Sequence, residues 1–124
     1  MVLAACGGPA VFTVTGAVVV DSDVPGRSGE PCQAKPGYED FNASAQVTIA
    51  DNSGTKLAIA PLGSGEYGPS PAGDMWSYTC HFPFTVANVP EGKPLYDIQA
   101  GRESRGNVTY EREKLNGPVT LTLS

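Results

Sequence analysis

The sequence predicts an all-β domain: about seven strands in an antiparallel or mixed Greek-key sandwich, with one disulfide joining Cys32 to Cys80. Three observations carry this. The chain is rich in turn-forming residues, with Gly 15 and Pro 11, both poor in helix and strand interiors. Its apolar residues recur at every second position in short runs, the period of a half-buried strand. Its cysteines number three, which pairs two and leaves Cys6 for a separate role.

The elements follow in order. Residues 11–20 form the opening strand, with Phe12, Val14, Val18 and Val20 on one face and Gly16 as a bulge or a point of close backbone approach. Residues 21–44 show no sustained periodicity and are expected as a long crossing loop tied down by Cys32. Residues 46–50 and 55–60 form a hairpin, with Val47, Ile49, Leu57 and Ile59 inward and Asp51-Asn52-Ser53-Gly54 as its turn. Residues 61–78 form a second long loop.

Residues 79–86 carry the clearest alternation. Cys80, Phe82, Phe84 and Val86 share one face, and Thr79, His81, Pro83 and Thr85 the other. Pro83 cannot donate a ladder hydrogen bond, so this strand lies at an edge or is bulged there. After the turn Val89-Pro90-Glu91-Gly92, residues 95–100 place Tyr96, Ile98 and Ala100 on one face. A turn at 103–106 leads to a short strand at 107–111 with Val108 and Tyr110 inward. One helical turn at 112–115 precedes a last strand holding Val119, Leu121 and Leu123. Seven strands with one apolar face each are buried most simply as two packed sheets.

The chain divides into a tether at 1–10 and a single domain at 11–124. Leu3-Ala4-Ala5-Cys6 resembles a bacterial lipobox, the site where a signal peptidase cuts before a cysteine that receives lipid, and the flexible Gly7-Gly8-Pro9 follows it. With Cys6 lipidated, Cys32 and Cys80 pair and no thiol is left over. Closing so long a loop contributes about 4 kcal/mol in the chain-entropy account. The alternative is two reduced cysteines buried in a cytosolic protein. The pairing therefore goes with an extracytoplasmic location, secreted or held at the membrane only through the lipid on Cys6.

The run Cys80-His81-Phe82-Pro83-Phe84-Thr85-Val86-Ala87-Asn88-Val89-Pro90-Glu91-Gly92, followed by Tyr96-Asp97-Ile98, resembles the later half of transthyretin-like (prealbumin-like) carboxypeptidase regulatory domains. In those domains a Phe-rich strand leads through a Val-Pro-x-Gly turn to a strand beginning with Tyr. More narrowly, Gly37-Tyr38-Glu39-Asp40, the Gln46-Val47-Thr48 strand and the Cys80-x-Phe82-x-Phe84 strand are similar to exported actinobacterial lipoproteins. The resemblance implies a sandwich fold and a non-catalytic accessory role, and it carries over no catalytic residue. The chain departs from the pattern at its two long loops.

Charge and motifs narrow the function. The net charge is -5 with Lys+Arg 8, opposite to what nucleic-acid phosphates or anionic lipid headgroups require. His81 is the single histidine and reads as a sheet-surface residue without a catalytic partner. With no Cys-x-x-Cys, and with His81 next to Cys80, a zinc site is not expected. Asp21-Ser22-Asp23 holds alternate carboxylates but lacks the rest of a calcium loop, and Glu39-Asp40 reads as solvated charge. Gly63-Ser64-Gly65 is followed by no Walker lysine. Asn42-Ala43-Ser44 and Asn107-Val108-Thr109 match glycosylation sequons only by pattern.

No catalytic residue, metal or cofactor is expected. The candidate binding residues are Tyr38, Tyr67, Met75, Trp76 and Tyr78, aromatics and a methionine on or beside the Gly/Pro-rich loops. Such side chains stack on sugar rings or anchor a protein partner. The competing expectation is that a lone tryptophan in a small β domain folds into the core. The predicted function is a non-enzymatic cell-surface accessory or interaction domain, monomeric, with a protein or polysaccharide partner. The alternative is a carbohydrate- or cell-wall-binding module using the 61–78 loop.

Overall fold

In the computed structural model, residues 10–42, 45–69, 76–101 and 106–123 are described, the side chains of Asp23 and Leu123 excepted. Among the described residues, eight strands run in chain order: β1 Val11–Gly26, β2 Gln46–Asp51, β3 Lys56–Pro61, β4 Glu66–Tyr67, β5 Ser77–Pro90, β6 Leu95–Ala100, β7 Val108–Glu111 and β8 Val119–Leu123. They form two four-stranded sheets, ordered β4-β5-β1-β8 and β3-β2-β6-β7. All pairings are antiparallel except β1 with β8, which is parallel. The eighth strand is β4, two residues inside what the sequence presents as loop. Too short to show a period, it forms because Glu66 and Tyr67 lie opposite His81 and Cys80.

The core lies between the sheets. Val14, Val18 and Val20 of β1 and Cys80, Phe82, Phe84 and Val86 of β5 are buried on one side, facing Val47 and Ile49 of β2 and Tyr96 and Ile98 of β6. Both long strands thus keep the alternation of their sequence. Pro83 pairs with Ala17 of β1, and its carbonyl accepts from Gly63 N at 2.7 Å. A residue's N and O point to the same side of a strand, so the missing N–H falls on the side away from β1, where no ladder needs it. Gly16 is a point of close approach: a Cβ there would lie 2.2 Å from the Val119 carbonyl oxygen and 2.9 Å from the Phe84 ring.

Three register irregularities shape the molecule. Near the end of β5, Ala87 and Asn88 together oppose Thr13, and Asn88 takes φ 60°. Asparagine tolerates this left-handed conformation better than most residues. In β3, Leu57 is an extra residue between Lys56, paired with Ala50, and Ala58, paired with Ile49. This bulge shifts the alternation, so Ala58 and Ala60 lie opposite the buried Ile49 and Val47. The expectation that Ile59 points inward is therefore wrong: it pairs with Thr48 and is 57% exposed. In β1, residues 22–25 oppose Tyr78 alone, so the chain swings out of the sheet before rejoining it at Gly26.

Val108 also departs from expectation. It lies opposite the buried Ile98, on the inward face, but on the edge strand β7 it stays 44% exposed. Tyr110 is half-buried, and burial pushes its phenol pKa up. The turn at Arg112–Leu115 is a 3-10 helix that buries Leu115. It carries Arg112 to Glu91 in a double hydrogen bond, Nε to Oε1 at 2.7 Å and Nη2 to Oε2 at 2.9 Å. The same guanidinium lies 3.6 Å over the Phe12 ring, which meets Tyr96 edge-on at 5.3 Å. Tyr96 donates its phenol hydrogen to Pro90 O at 2.7 Å, fixing the β5–β6 corner.

Asp51 organises the β2–β3 turn. Its Oδ1 accepts from Ser53 Oγ at 2.7 Å and from the amides of Ser53 and Thr55, while Lys93 Nζ lies 3.7 Å from Oδ2. The Ser53 hydroxyl, the backbone amides and the Lys93 charge hold its pKa below the ordinary 3.8 against the opposing effect of burial.

Two predictions follow from this packing. Gly16→Ala is expected to destabilise the domain by about 1–3 kcal/mol, whereas Gly117→Ala, which meets no atom within 4 Å, changes little. Urea unfolding of the two variants compares them. For Asp51 the folded pKa is depressed, so its contribution is complete above pH 3.8 and is lost as pH falls through the lower folded value. Asp51→Asn is expected to flatten the acid limb of a stability–pH profile below that point and to lower stability above it.

Candidate functional site

The Cys32–Cys80 bond is present, with Cα atoms 5.8 Å apart at a sequence separation of 48. Cys80 projects from β5 and is fully buried, whereas Cys32 is half-buried. Around this bond the irregular segments are tied together strand-fashion. Cys32 N donates to Gly65 O at 3.1 Å, Tyr67 N to Glu30 O at 2.9 Å and Gly29 N to Tyr67 O at 2.9 Å. Pro31 bridges to Glu66. The glycines of the second loop serve close approach: at Gly65 a Cβ would lie 2.7 Å from Cys80 Sγ and 2.7 Å from the Phe82 ring.

Tyr67 ties this rim to the displaced part of β1. Its phenol donates to Val24 O at 2.6 Å, and Ser22 Oγ donates within the same group, 2.9 Å from Val24 O and 3.2 Å from Gln33 O. The ring lies where a side chain at Gly26 would be, 2.1 Å from that Cβ position. Glycine at 26 is thus what admits the ring. The outward swing of residues 22–25 opens a cavity of about 580 Å³, lined by Ser22, Val24, Pro31, Cys32, Gln33, Ala34, Pro36, Glu39 and Tyr67. A second cavity of about 460 Å³ shares Pro31, Cys32, Gln33, Ala34 and Glu39 with it and extends to Phe41, Asn42, Ser64, Gly65 and Phe82.

The predicted binding residues separate in this frame. Trp76 is 44% exposed and Tyr78 55% exposed, and both precede Cys80 along the chain. The expectation that the lone tryptophan enters the core is corrected: Ser77, not Trp76, takes the buried position where β5 begins, opposite Gly26. Tyr67 lines the first cavity. Tyr38 belongs to a cluster instead, stacked on Phe41 at 6.2 Å with Lys35 Nζ 5.2 Å from its ring centre, and Phe41 continues the cluster to Phe82. Cys6 and Met75 lie outside the described residues.

The remaining candidates find structural partners. His81 is half-buried rather than fully solvent-facing, since Gly68 sits against its ring and its Nε2 lies 3.2 Å from Thr79 Oγ1. Asp21 pairs with Lys35 at 3.7 Å. Among the described residues, no group of three or more His, Cys, Asp or Glu side chains is placed to hold a metal ion. Among them, too, no helix is long and apolar enough to cross a membrane.

The cavity walls Ser22, Val24, Gln33 and Ser64 are not singled out by the sequence as binding residues. The one local signal is Pro25, which interrupts the β1 pattern where the chain swings away. Glu39 is visible in sequence as half of a carboxylate pair and as a member of the Gly37-Tyr38-Glu39-Asp40 segment. Its Oε1 accepts from Gly37 N at 2.8 Å.

No protein-family model, curated protein or solved structure matches the chain. The exposure of Trp76 is open to a direct check. Its fluorescence is expected to be solvent-shifted and readily quenched by acrylamide in the folded protein. A blue-shifted, quencher-protected emission would place the indole in the core instead.

Proposed function

We propose that this chain is a non-enzymatic binding or accessory domain working outside the cytoplasm, anchored through a lipid on Cys6. The observation that carries this reading is the coincidence at one rim of a disulfide, two exposed aromatic side chains and a cavity. A disulfide of this kind persists in oxidising compartments. Exposed tryptophan and tyrosine on a fixed frame are the usual anchors of a partner surface. The transthyretin-like resemblance belongs to the same reading, supported by the two-sheet architecture.

A second reading, a carbohydrate- or cell-wall-binding module, is favoured by Trp76 and Tyr78 in particular. Flat aromatic faces at low conformational cost suit the apolar face of a sugar ring, and the neighbouring cavities supply polar groups. Tyr67 contributes as a wall of the cavity, and Tyr38 by supporting Phe41.

Anchoring is tested by metabolic labelling with a fatty-acid analogue in cells expressing the full gene. Incorporation is expected, with its loss in Cys6→Ala. Label that persists in Cys6→Ala would refute lipidation at that residue.

A further inference from the structure

We propose that the two cavities adjoining the Cys32–Cys80 bond form one ligand cleft of two subsites, shaped for an uncharged glycan chain, with Glu39 shared between them. This rests on the carbohydrate reading above and specifies its site. At about 580 and 460 Å³, each cavity falls within the usual range of roughly 300–1,000 Å³ for small-molecule sites. They share the wall formed by residues 31–34, and Glu39 lines both.

The lining selects the chemistry. Among the described residues, no lysine or arginine lines either cavity, while the Glu39 carboxylate lines both. An anionic ligand would therefore meet like charge at Glu39. Glu39 Oε1 is engaged with Gly37 N, leaving Oε2 to accept from a ligand hydroxyl. Ser22, Asn42 and Ser64 add polar groups, against apolar surface from Val24, Ala34 and Phe82. Hydroxyl-bearing edges and an apolar ring face are the two sides of a sugar. Beyond the cleft, Tyr78 and Trp76 stand on the stretch of chain leading into Cys80, with their side chains exposed.

An extended peptide fits less well. Peptides that join a sheet need an open strand edge. Here β4 covers β5 at Cys80 and His81, and residues 29–31 in turn bond to the outer edge of β4. The strand edge beside the cleft is thus already occupied by the chain itself.

The test is a chemical-shift titration of the isotope-labelled protein with maltotriose, cellotriose and triacetylchitotriose, and with trigalacturonate as an anionic comparison. At least one neutral trisaccharide is expected to move the amides of Gln33, Ala34, Ser64 and Gly65 together with Tyr78. Glu39→Gln keeps an acceptor for Gly37 N but removes the charge, and is expected to weaken binding about tenfold. Trp76→Ala is expected to weaken the same titration. Shifts confined to Trp76 and Tyr78, unaffected by Glu39→Gln, would overturn the cleft while sparing the rim aromatics as a glycan surface. Tighter binding of trigalacturonate would overturn the charge argument and with it the proposal. No response to any neutral trisaccharide would overturn both the cleft and the carbohydrate reading.

Discussion

A single covalent link between a strand and an irregular segment governs this molecule. Cys80 is committed to the core by the alternation of β5, so Cys32 is brought to a fixed point on the sheet, and the chain around it follows. The backbone bonds from Cys32 N to Gly65 O and from Tyr67 N to Glu30 O join two excursions that hold little regular structure of their own. In the unfolded chain a loop of this length explores many arrangements, and closing it removes that freedom. The same closure that stabilises the domain also decides where its cavities lie.

The two ends of the sandwich are held by different physics. At one, β1 and β5 meet beside the disulfide. At the other, Phe12, Tyr96, Arg112 and Glu91 interlock through an edge-on ring contact, a cation over a ring face and a double hydrogen bond. Arg112 raises no desolvation problem that Glu91 does not answer: the guanidinium hydrogen bond holds the Glu91 carboxyl below its usual range, and Glu91 in turn raises the Arg112 pKa. The second end is held by paired charges and edge-on rings, whereas the disulfide end carries the exposed aromatics.

What the sequence discloses follows from how local its cause is. The inward set Cys80, Phe82, Phe84 and Val86 is legible because the stretch of β5 before its bulge keeps a strict period. The β1 face and the Tyr96–Ile98–Ala100 face are legible for the same reason, and the disulfide follows from cysteine arithmetic. Ile59 misleads because one inserted residue, Leu57, reverses the alternation of β3, and no residue type marks that insertion. Val108 misleads because its pattern is inward while its strand lies at an edge. β4 is invisible because two residues show no period. The rim is legible as a place, since both cysteines sit in or beside the loops. Its first cavity is not, because two of its walls, Ser22 and Val24, belong to residues 22–25, which leave the sheet opposite a single partner, as only the β1–β5 register determines.

These features describe a domain whose sandwich core supplies rigidity and whose disulfide rim supplies shape. The claim beneath the rest is that the Cys32–Cys80 bond, rather than the core alone, holds the rim in place. Amide hydrogen exchange measured residue by residue before and after reduction tests this most directly. Reduction is predicted to release the amides of Gly29, Cys32 and Tyr67 while those of Val47, Ile49 and Ile98 stay the more protected. Equal protection of the rim amides in the oxidised and reduced protein would contradict the account.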